Sequence, residues 1–592
     1  MEDETIHNIT FGFNTKATNN VNTYIFNNVA FASVDESCLL TRLFKSNRYS
    51  ILFEGRLYNK KQIKKELLKL GHVILTDTDA EIILLSYLEY GNNFINKLDG
   101  IFSLAIYDFT NECLFIARDK LGIKPLYYAE SDDFVFSTKI KGILNHPNMT
   151  ARLGKDELCE IFGLGPAHSP GKTFFKGIYE IMPGHYGIYT NHEFKTYKYW
   201  DLETTVIQDS VEESINKTYE LVTSSLEKEL VSDKPVACML SGGLDSSVLS
   251  MLASKEIENL TTFSIDFEGN ETNFSSTDYQ PTRDSDFVVV MREFLKTNHK
   301  NLYFSTKEIF DSLKDAMLAR EMPGMADVDS SLLVFCKKIK ECGFDAVISG
   351  ECSDEIFGGY PWYYKEHLIN SPTFPWSRSI NTRKNIINPN LVSDDYLQSY
   401  VQNAYESTSN NVILNSDDEI ENKFRKTCYN TIKWFMNTLV ERSVRISEIT
   451  GLDIRVPFAD YKTFEYIYNV PAKYKLGLIS GNNTPVEKYL LRKAFENELP
   501  HDVVYRKKSP FPKTYDPEYT SLLEKAIVDI INKSTSPLLQ IINIRYLYEI
   551  LETKGENLKE NWFGQLMTYP QTLAYLIQIN MWLEEYNVEI DI

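Results

Sequence analysis

The chain has 592 residues, which is too long for one domain and predicts roughly three or four. Hydrophobic residues make up 43% and charged residues 24%, as in ordinary globular proteins. The formal net charge is −20, which argues against a nucleic-acid backbone or an anionic membrane as the main partner.

Metal-site and targeting patterns are absent from the sequence. The nine histidines form no H-E-x-x-H pattern and the eight cysteines no C-x-x-C spacing, so neither structural zinc nor a disulfide framework is indicated. The start, MEDETIHNIT, is polar and acidic, unlike a signal peptide. No run of ~18 apolar residues is available to span a membrane. We therefore expect a cytoplasmic protein.

The first part of the chain, to about residue 195, is predicted to be rich in β-structure. Short apolar segments separated by turn residues lie at Tyr49–Phe53, Phe102–Tyr107 and Leu114–Ala117. This pattern is typical of a layered α+β or sandwich domain. Residues 201–212 are polar and suit a connector. A helix follows, with an apolar face at spacings of three and four formed by Ile215, Tyr219, Val222, Leu226 and Leu230.

From Pro235 onward, strands and helices alternate. Strands are predicted at Val236–Leu240, Thr261–Phe267 and Ala346–Ser349, with helices between them at Ile309–Arg320 and Leu332–Ile339. Such alternation indicates a parallel sheet covered by helices, and the last ~160 residues are predicted to be mostly helical.

The polar segment 268–286 lacks periodicity. Two interpretations stay open for it, a mobile loop near the functional site or a solvated insertion.

The stretch LSGGLDSSVL, from Leu240 to Leu249, has the pattern of a strand, a glycine turn and a helix start. Such turns bind phosphate, because the glycines allow close backbone approach and the helix start adds its dipole. The lysine of the common G-x-x-x-x-G-K-[ST] loop is missing. Asp245 would repel a bare phosphate, so pyrophosphate with Mg²⁺ fits better. The alternative is a serine-rich helix cap.

A second stretch, VISGECSDEIFGGYPWY, also follows a predicted strand and carries Glu351, Asp354 and Glu355. Two strand ends with acids and glycines indicate one site at the carboxyl edge of a parallel sheet. Asp245 and Asp354 are then candidates to share one metal ion. The alternative is that the Gly358–Tyr360 stretch is only a turn.

Together, SGGLDSS and SGE-x-SDEIFGGY resemble the asparagine synthetase family. ARDKLGIKPLYY and GLGPAHSPGKTFFKGIYEIMPGHY are similar to the amidotransferase half of that family. GLDIRVPFAD, EKYLLRKA and RKKSPFPKTYDPEY are similar to its synthetase half. The resemblance extends from about residue 50 to about residue 520.

The resemblance implies a chain of the α+β and α/β classes. Residues 1–200 would form a degenerate type 2 glutamine amidotransferase-like domain, an Ntn-type αββα sandwich. Residues 210–592 would form a parallel-sheet ATP-pyrophosphatase domain, of the adenine nucleotide α-hydrolase-like kind, with a helical C-terminal part. A homodimer is the family's usual assembly.

The resemblance also implies a chemistry, in which a substrate carboxylate attacks the α-phosphate of ATP. Ammonia or an amine then displaces AMP from the acyl-adenylate. Lys488 would neutralise charge on the α-phosphate and leaving group, and Glu351 would orient or deprotonate the amine. Asp245 and Asp354 would bind Mg²⁺. Arg492 either supports the phosphates or is a surface arginine. The residues expected to hold ATP and its pyrophosphate are Leu240, Ser241, Gly242, Gly243, Asp245, Ser246, Ser247, Ile265, Ser349 and Gly350.

The amidotransferase half departs from the family pattern. Active members expose a cysteine as residue one, with its α-amino group as base. Here Met1 is followed by Glu2, and the nearest cysteine is Cys38. The R-G-P-D stretch that binds the glutamine carboxylate is missing, and the N-G-E of the oxyanion hole is Glu54-Gly55-Arg56. Asp79 alone matches a glutamine ligand. We therefore expect no glutaminase activity, unless the start of the chain is unprocessed or miscalled.

The synthetase half has departures as well. Val444 stands where the family has an acid, Glu448 where it has methionine, Asp453 where it has glutamate, and Cys352 where it has glycine. We expect these positions near the meeting point of acid and amine. The resemblance therefore supports ATP as a substrate more strongly than it supports free aspartate.

Three interpretations remain open. The favoured one is an AMP-forming ligase that joins ammonia or an amine to a small-molecule or peptide carboxylate. The second is intramolecular closure, as in enzymes that resemble β-lactam synthetase or lasso-peptide cyclases. The third is a non-catalytic binding subunit.

Overall fold

The protein is described from a computed structural model, which covers residues 22–26, 29–33, 39–44, 46–276, 282–412, 418–479 and 483–592. The chain divides into two compact units. The first comprises Met1–Arg152 and Pro170–Asp201, and the second comprises Leu153–Ser169 and Leu202–Ile592. The short segment Leu153–Ser169 thus belongs to the second unit, whereas the boundary near residue 200 remains a sequence-based prediction.

The first unit is built mainly from antiparallel strands. In chain order these are β1 Asn22–Phe26, β2 Val29–Ser33, β3 Leu39–Phe44, β4 Asn47–Leu57, β5 Gly100–Asp108, β6 Cys113–Arg118, β7 Tyr127–Glu130, β8 Phe134–Ser137, β9 Tyr179–Glu180, β10 His185–Thr190 and β11 Glu193–Lys198. Its helices are α1 Lys60–Lys69, α2 Asp79–Tyr90 and α3 Ile140–Leu144, with a 3₁₀ turn at Gly91–Lys97.

Two sheets are layered in this unit. Within the described residues, the larger sheet has the order β11-β10-β6-β5-β4-β3 and the smaller one β9-β7-β8. Alternate residues of the central strands point to opposite faces, as the period of two requires. Leu104 and Ile106 pack with the helices α1 and α2, whereas Ala105 and Tyr107 pack on the other face with Leu126. This layering confirms the α+β sandwich expected from the sequence.

The second unit contains a parallel sheet. Its strands are β12 Val236–Met239, β13 Thr261–Phe267, β14 Asn298–Phe304, β15 Ala346–Ile348 and β16 Asp453–Arg455. Within the described part of the chain, the order is β14-β13-β12-β15-β16, and all the pairs are parallel. The chain therefore adds strands to one side of β12 and later to the other. Ligands bind in such sheets at the carboxyl ends where this order reverses.

Helices surround the sheet and form the C-terminal part of the second unit, which confirms the α/β class. They are α4 Lys155–Cys159, α5 Val211–Leu230, α6 Leu244–Glu256, α7 Asn270–Asn273, α8 Asp284–Leu295, α9 Thr306–Asp311, α10 Leu313–Arg320, α11 Asp327–Glu341, α12 Ser353–Phe357, α13 Glu366–Ile369, α14 Ile380–Ile386, α15 Asp394–Ser409, α16 Glu419–Asn430, α17 Asn437–Ile449, α18 Tyr461–Asn469, α19 Ala472–Lys475, α20 Tyr489–Ala494, α21 His501–Val504, α22 Pro517–Asn532, α23 Leu538–Ile541, α24 Ile544–Glu552 and α25 Tyr569–Glu585. π-helical turns lie at Glu160–Leu164 and Thr431–Met436, and a 3₁₀ turn at Pro361–Tyr363.

Local capping explains where some helices differ from the sequence prediction. The helix predicted over Ile309–Arg320 is in fact two, α9 and α10. Ser305 starts α9 early by accepting the backbone N–H of Glu308, and the chain breaks at Ser312. The helix predicted at Leu332–Ile339 begins earlier, at Asp327. Among the described residues, no helix is both long and apolar enough to cross a membrane.

Candidate functional site

Two loops meet at the carboxyl ends of β12 and β15. The backbone N–H of Leu240 donates to Phe263 O at 2.7 Å, and that of Ser349 donates to Arg455 O at 2.8 Å. These bonds extend each strand by one residue before the chain turns. Because β12 and β15 are hydrogen-bonded neighbours, the turns that follow them lie side by side. The two motifs found in the sequence therefore belong to one site.

Gly242 and Gly243 shape the loop after β12. Gly242 has a φ of 68°, and a Cβ there would lie 2.6 Å from Phe287 C. Gly243 precedes the first turn of α6, so the backbone N–H groups of that turn begin at this loop. The Ser246 hydroxyl accepts the N–H of Ser241 at 3.1 Å and lies 3.0 Å from the Ser241 hydroxyl. This donor-rich helix start is suited to an anion.

An acid–lysine cluster joins the two loops. Lys488 Nζ lies 2.6 Å from Asp245 Oδ2 and 2.5 Å from Asp354 Oδ1. Lys508 Nζ lies 2.6 Å from the other oxygen of Asp354. Ser353 Oγ donates to Asp245 Oδ1 at 2.7 Å. Asp245 and Asp354, 109 residues apart in the sequence, thus share one ammonium group.

Glycine at position 359 permits this close packing. A Cβ there would lie 1.9 Å from Asp354 Oδ1 and 2.3 Å from Lys488 Cε, so no larger residue fits. Position 350 is similarly crowded, because a Cβ at Gly350 would lie 3.0 Å from the backbone nitrogen of Ser246. Glycine at these two positions of the second motif therefore allows the two loops to pack against each other.

Burial and charge act in opposite directions on the ionisable groups of the cluster. Burial alone would lower the pKa of Lys488, but the attraction of Asp245 and Asp354 outweighs it and raises that pKa. Burial would likewise raise the pKa of Asp354, yet Lys488 and Lys508 bring it below its ordinary value. At neutral pH the lysine is charged and Asp354 is ionised.

Glu351 lies on the loop after β15, three residues before Asp354. Its two carboxylate oxygens accept from the guanidinium of Arg442 and from the hydroxyl of Ser443, both on α17. Its side chain is 19% exposed, whereas that of Arg442 is 3% exposed. The carboxylate is thus fixed by α17 and faces the cavity.

A cavity of about 230 Å³ connects these groups within the second unit. Most of the residues proposed from the sequence line it, namely Leu240, Ser241, Gly243, Asp245, Ser246, Ile265, Ser349, Gly350, Glu351, Asp354 and Lys488. Gly242 and Ser247 do not line it. Gly242 makes the turn, and the Ser247 hydroxyl is buried without a hydrogen-bond partner. Their individual roles remain predictions.

The segment 268–286 contributes to the site at its C-terminal end, and residues 277–281 lie outside the described part. Asp284 lines the cavity and forms an ion pair with Arg506. Burial raises the pKa of Asp284, although Arg506 opposes the shift. At the other end, Asn270 bonds to the backbone at Lys513 and Tyr515. Both described ends are therefore packed against the chain near residues 506–515.

The residues present fit a magnesium ion that arrives with a nucleotide. Asp245 and Asp354 both approach one nitrogen, so they are close enough to bind one cation. Oxygen ligands suit Mg²⁺, which usually takes one or two carboxylates plus substrate phosphates. Among the residues that the structure describes, no cluster of three or more His, Cys, Asp or Glu offers a complete metal site. Phosphate oxygens would have to complete the coordination.

Comparison with known proteins identifies the family. The family described as Asparagine synthase matches residues 217–584, and the one described as Glutamine amidotransferase domain matches residues 39–200. Asparagine synthetase [glutamine-hydrolyzing] 3 of Bacillus subtilis is 39% identical over 93% of this chain and 89% of its own length.

The chain belongs to the asparagine synthetase family.

Asparagine synthetase [glutamine-hydrolyzing] 2 of Bacillus subtilis is 27% identical, over 85% of this chain and 68% of its own length. Asparagine synthetase [glutamine-hydrolyzing] of Sandersonia aurantiaca is 26% identical, over 78% of this chain and 73% of its own length. Membership makes the chain an ATP-dependent carbon–nitrogen ligase with an amidotransferase-like N-terminal domain.

The departures from the asparagine synthetase pattern are not all at the cavity. Cys352 lines it, whereas Val444, Glu448 and Asp453 are not among its lining residues. The expectation that all four lie where acid and amine meet is therefore wrong. For Val444 and Glu448 the reason is helical phase, because α17 turns Leu439, Arg442 and Ser443 toward the cavity, at spacings of three and four. Asp453 instead begins β16, at the end of that strand opposite the carboxyl edge.

Arg492 fits neither sequence interpretation fully. It is buried rather than on the surface, and it lines the cavity. Its Nη2 forms an ion pair with Glu487 at 2.8 Å, and its other donors bind the backbone oxygens of Glu487, Val504 and Arg506. It therefore holds the chain after α21 against α20.

The sequence reasoning missed Lys508, Ser353 and Arg442. Lys508 lies in RKKSPFPKTYDPEY, a stretch noted only for its resemblance to the family, although three adjacent basic residues are a signal for phosphate. Ser353 lies directly before Asp354 in the second motif. Arg442 lies three residues before the R-I-S stretch at Arg445, and no local pattern marks it.

The first unit can be compared with a working glutaminase site. Glu54 is buried and lies 3.2 Å from Lys124 Nζ. Burial raises the pKa of Glu54, and Lys124 opposes that shift. Asp79 Oδ2 accepts the N–H of Leu57 at 3.1 Å, and its other oxygen lies 3.4 Å from Lys60 Nζ. Met1, Glu2 and Cys38 lie outside the described residues.

Proposed function

We propose that the protein is an AMP-forming amide ligase that adenylates a carboxylic acid and transfers ammonia or an amine to it, without hydrolysing glutamine. The observation that carries the proposal is the joining of Asp245, Asp354 and Lys488 beside the glycine loop, with Glu351 on the same cavity. One cavity thus offers groups that can bind pyrophosphate, neutralise charge and activate an amine, all within reach of bound ATP and the acid.

Each group has a distinct task. The N–H groups at the start of α6 bind the phosphates, and Asp245 and Asp354 would hold a Mg²⁺ ion, which would supply positive charge beside those phosphates. Lys488 stabilises the charge that builds up on the α-phosphate and the leaving pyrophosphate as the acid attacks. Glu351, held by Arg442 and Ser443, orients the incoming amine and takes its proton.

The first unit supports a nitrogen source other than glutamine. Where the family pattern places an amide that donates to an oxyanion, this chain has the Glu54 carboxylate, which only accepts when ionised. Asp79, which matches a ligand of the glutamine amine, is bound to Leu57 and Lys60.

Exchange of labelled pyrophosphate into ATP, measured with candidate acids and Mg²⁺, tests the adenylation half. Asp354→Asn should lower the exchange rate by roughly 100-fold or more, because it removes a negative group that positions both Lys488 and the metal. Asp345→Asn is the matched control, since Asp345 pairs with Lys340 and Lys234 away from the cavity. Unchanged exchange in a folded Asp354→Asn protein would contradict the proposal. Formation, without added amine, of a product lighter than the acid by one water would indicate intramolecular closure instead.

A further inference from the structure

The cavity has a second wall along α17. Arg442 and Ser443 hold Glu351, and Leu439 lies one turn earlier on the same face. Phe435 lies about one further turn away, in the π-helical turn that leads into α17. At ~1.5 Å of rise per residue, this face extends roughly 10 Å from the Glu351 contact. We call Tyr360, Trp362, Phe435 and Leu439, which all line the cavity, the aromatic wall.

The rings of the aromatic wall contact one another, and the wall begins at the acid–lysine cluster formed by Asp245, Asp354, Lys488 and Lys508. The rings of Tyr360 and Trp362 stack at 4.3 Å, and Phe435 meets both edge-on at 5.2 Å. Lys508, which pairs with Asp354, lies over the Tyr360 ring at 5.4 Å. The wall therefore lies within reach of the remaining atoms of an acid whose carboxylate is at the acid–lysine cluster.

The polar atoms of the wall are already bound within the protein. The Tyr360 hydroxyl donates to Glu355 Oε1 at 2.9 Å, and Trp362 Nε1 donates to Thr431 Oγ1 at 3.3 Å. Phe435 and Leu439 have no polar side-chain atoms. The wall thus offers ring faces and methyl groups, which favour apolar groups through area burial and aromatic contact.

A free amino acid needs charged partners for its ammonium and second carboxylate, because unpaired buried charges are costly. In the described part of the chain, the buried arginines that line the cavity already form ion pairs with carboxylates of the protein. Arg442 pairs with Glu351, Arg506 with Asp284 and Arg492 with Glu487. The buried Lys488 and the half-buried Lys508 belong to the acid–lysine cluster. Lys507, which also lines the cavity, is exposed.

We infer that the acid is a monocarboxylate carrying an aromatic or aliphatic group, rather than a free α-amino acid such as aspartate. This inference rests on the proposed function, since it concerns the acid that is adenylated. Its carboxylate lies at the Lys488 cluster and its apolar group packs against the aromatic wall. Because that group carries no charge, packing it against the wall desolvates no ion.

Pyrophosphate exchange with three probes tests the inference: 3-phenylpropanoate, L-aspartate, and N-acetyl-L-aspartate N-methylamide, which has a carboxylate but neither α-charges nor a large apolar group. We expect kcat/KM for 3-phenylpropanoate to exceed that for either aspartate compound by roughly 10-fold or more. Leu439→Ala should lower it several-fold through KM. Leu539→Ala, at a half-buried leucine of α23 that does not line the cavity, should leave it unchanged.

An aspartate compound that matches or exceeds 3-phenylpropanoate would overturn the inference, as would a Leu439→Ala protein with unchanged KM. Ligand-observed NMR with ATP present separates this failure from that of the proposed function. Binding of 3-phenylpropanoate that Leu439→Ala weakens, without exchange for any acid, would contradict adenylation and support the apolar site. Absence of such binding would contradict the inference itself.

Discussion

Lys488 is held in an unusual environment. It adopts a left-handed backbone conformation, with a φ of 56°, and its side chain is only 3% exposed. A non-glycine residue in this region is uncommon, and such strain persists where the surroundings impose it. Here the surroundings are two carboxylates from different loops. The ammonium is therefore placed before any substrate binds, which is what electrostatic stabilisation of a transition state requires.

Replacing Lys488 by alanine should slow adenylation more than it weakens ATP binding. Its charge is needed most as pyrophosphate departs, so we expect kcat for AMP formation to fall by roughly 10²–10³-fold. Lys493→Ala is the control, because that half-buried lysine, on the helix α20 that follows Lys488, pairs with Glu496. ATP affinity can be followed by calorimetry. A large loss of affinity with a normal chemical step would make Lys488 a ground-state ligand instead.

Replacing Glu351 by glutamine should act at the later step. The amide keeps the shape of the side chain but takes no proton, so pyrophosphate exchange should persist while amide formation falls by roughly 10²–10⁴-fold. Both rates can be measured on one preparation with the cognate acid and amine. Parallel loss of exchange would show that Glu351 serves adenylation.

At the scale of whole elements, a buried arginine joins distant parts of the second unit. Arg383 on α14 is fully buried. Its guanidinium donates to the backbone oxygens of Phe162, Gly163 and Gly165 and to that of Trp562, whose ring it also covers at 4.4 Å. No carboxylate appears among these contacts. The arginine thus links the segment Leu153–Ser169 to the C-terminal helices through carbonyl groups.

Arg383→Met should destabilise the second unit by about 2–4 kcal/mol, because several buried carbonyl oxygens lose their donor. Thermal unfolding followed by circular dichroism measures the effect. Arg378→Met is the matched control, since Arg378 is partly exposed and lies 3.5 Å from Glu560. Equal unfolding temperatures for the two variants would mean that the carbonyl groups find other donors.

For the molecule as a whole, the question is whether the first unit still supplies nitrogen. Its sheets and core are those of the amidotransferase fold, with Leu104, Ile106 and Phe115 fully packed. The fold is maintained by these apolar layers, which do not depend on catalytic residues. A preserved core and a lost activity are thus compatible.

We predict that glutamine is not hydrolysed. An amide is inert without a catalyst, and Glu54 replaces the side-chain amide that the family pattern places in the oxyanion hole. Purified protein incubated with glutamine, ATP, Mg²⁺ and the cognate acid should release glutamate only at background, whereas ammonium or an amine should support AMP formation. Glutamate released in step with AMP, and abolished by a thiol-blocking reagent, would contradict this prediction.

The sequence by itself determined the family, the fold class and the two glycine-containing loops of the candidate site. It could do so because these features are local. A strand followed by glycines and a helix start is encoded within about ten residues, as in LSGGLDSSVL. Short apolar segments between turn residues likewise indicated β4, β5 and β6. Asp245, Asp354 and Lys488 were proposed from motifs, and the structure brings them together.

Only the tertiary structure decided which side chains meet across the cavity. Arg442 reaches Glu351 from a helix 91 residues further along the chain, and helical phase turns Val444 away from the lining. The stacking of Tyr360 on Trp362, and their contact with Phe435, also depend on packing between separate elements. Such contacts follow from how helices are oriented on the sheet, and no short stretch of sequence encodes that orientation. The groups proposed for the chemistry could therefore be found from local motifs, whereas the side chains proposed to contact the acid come together only in the assembled fold.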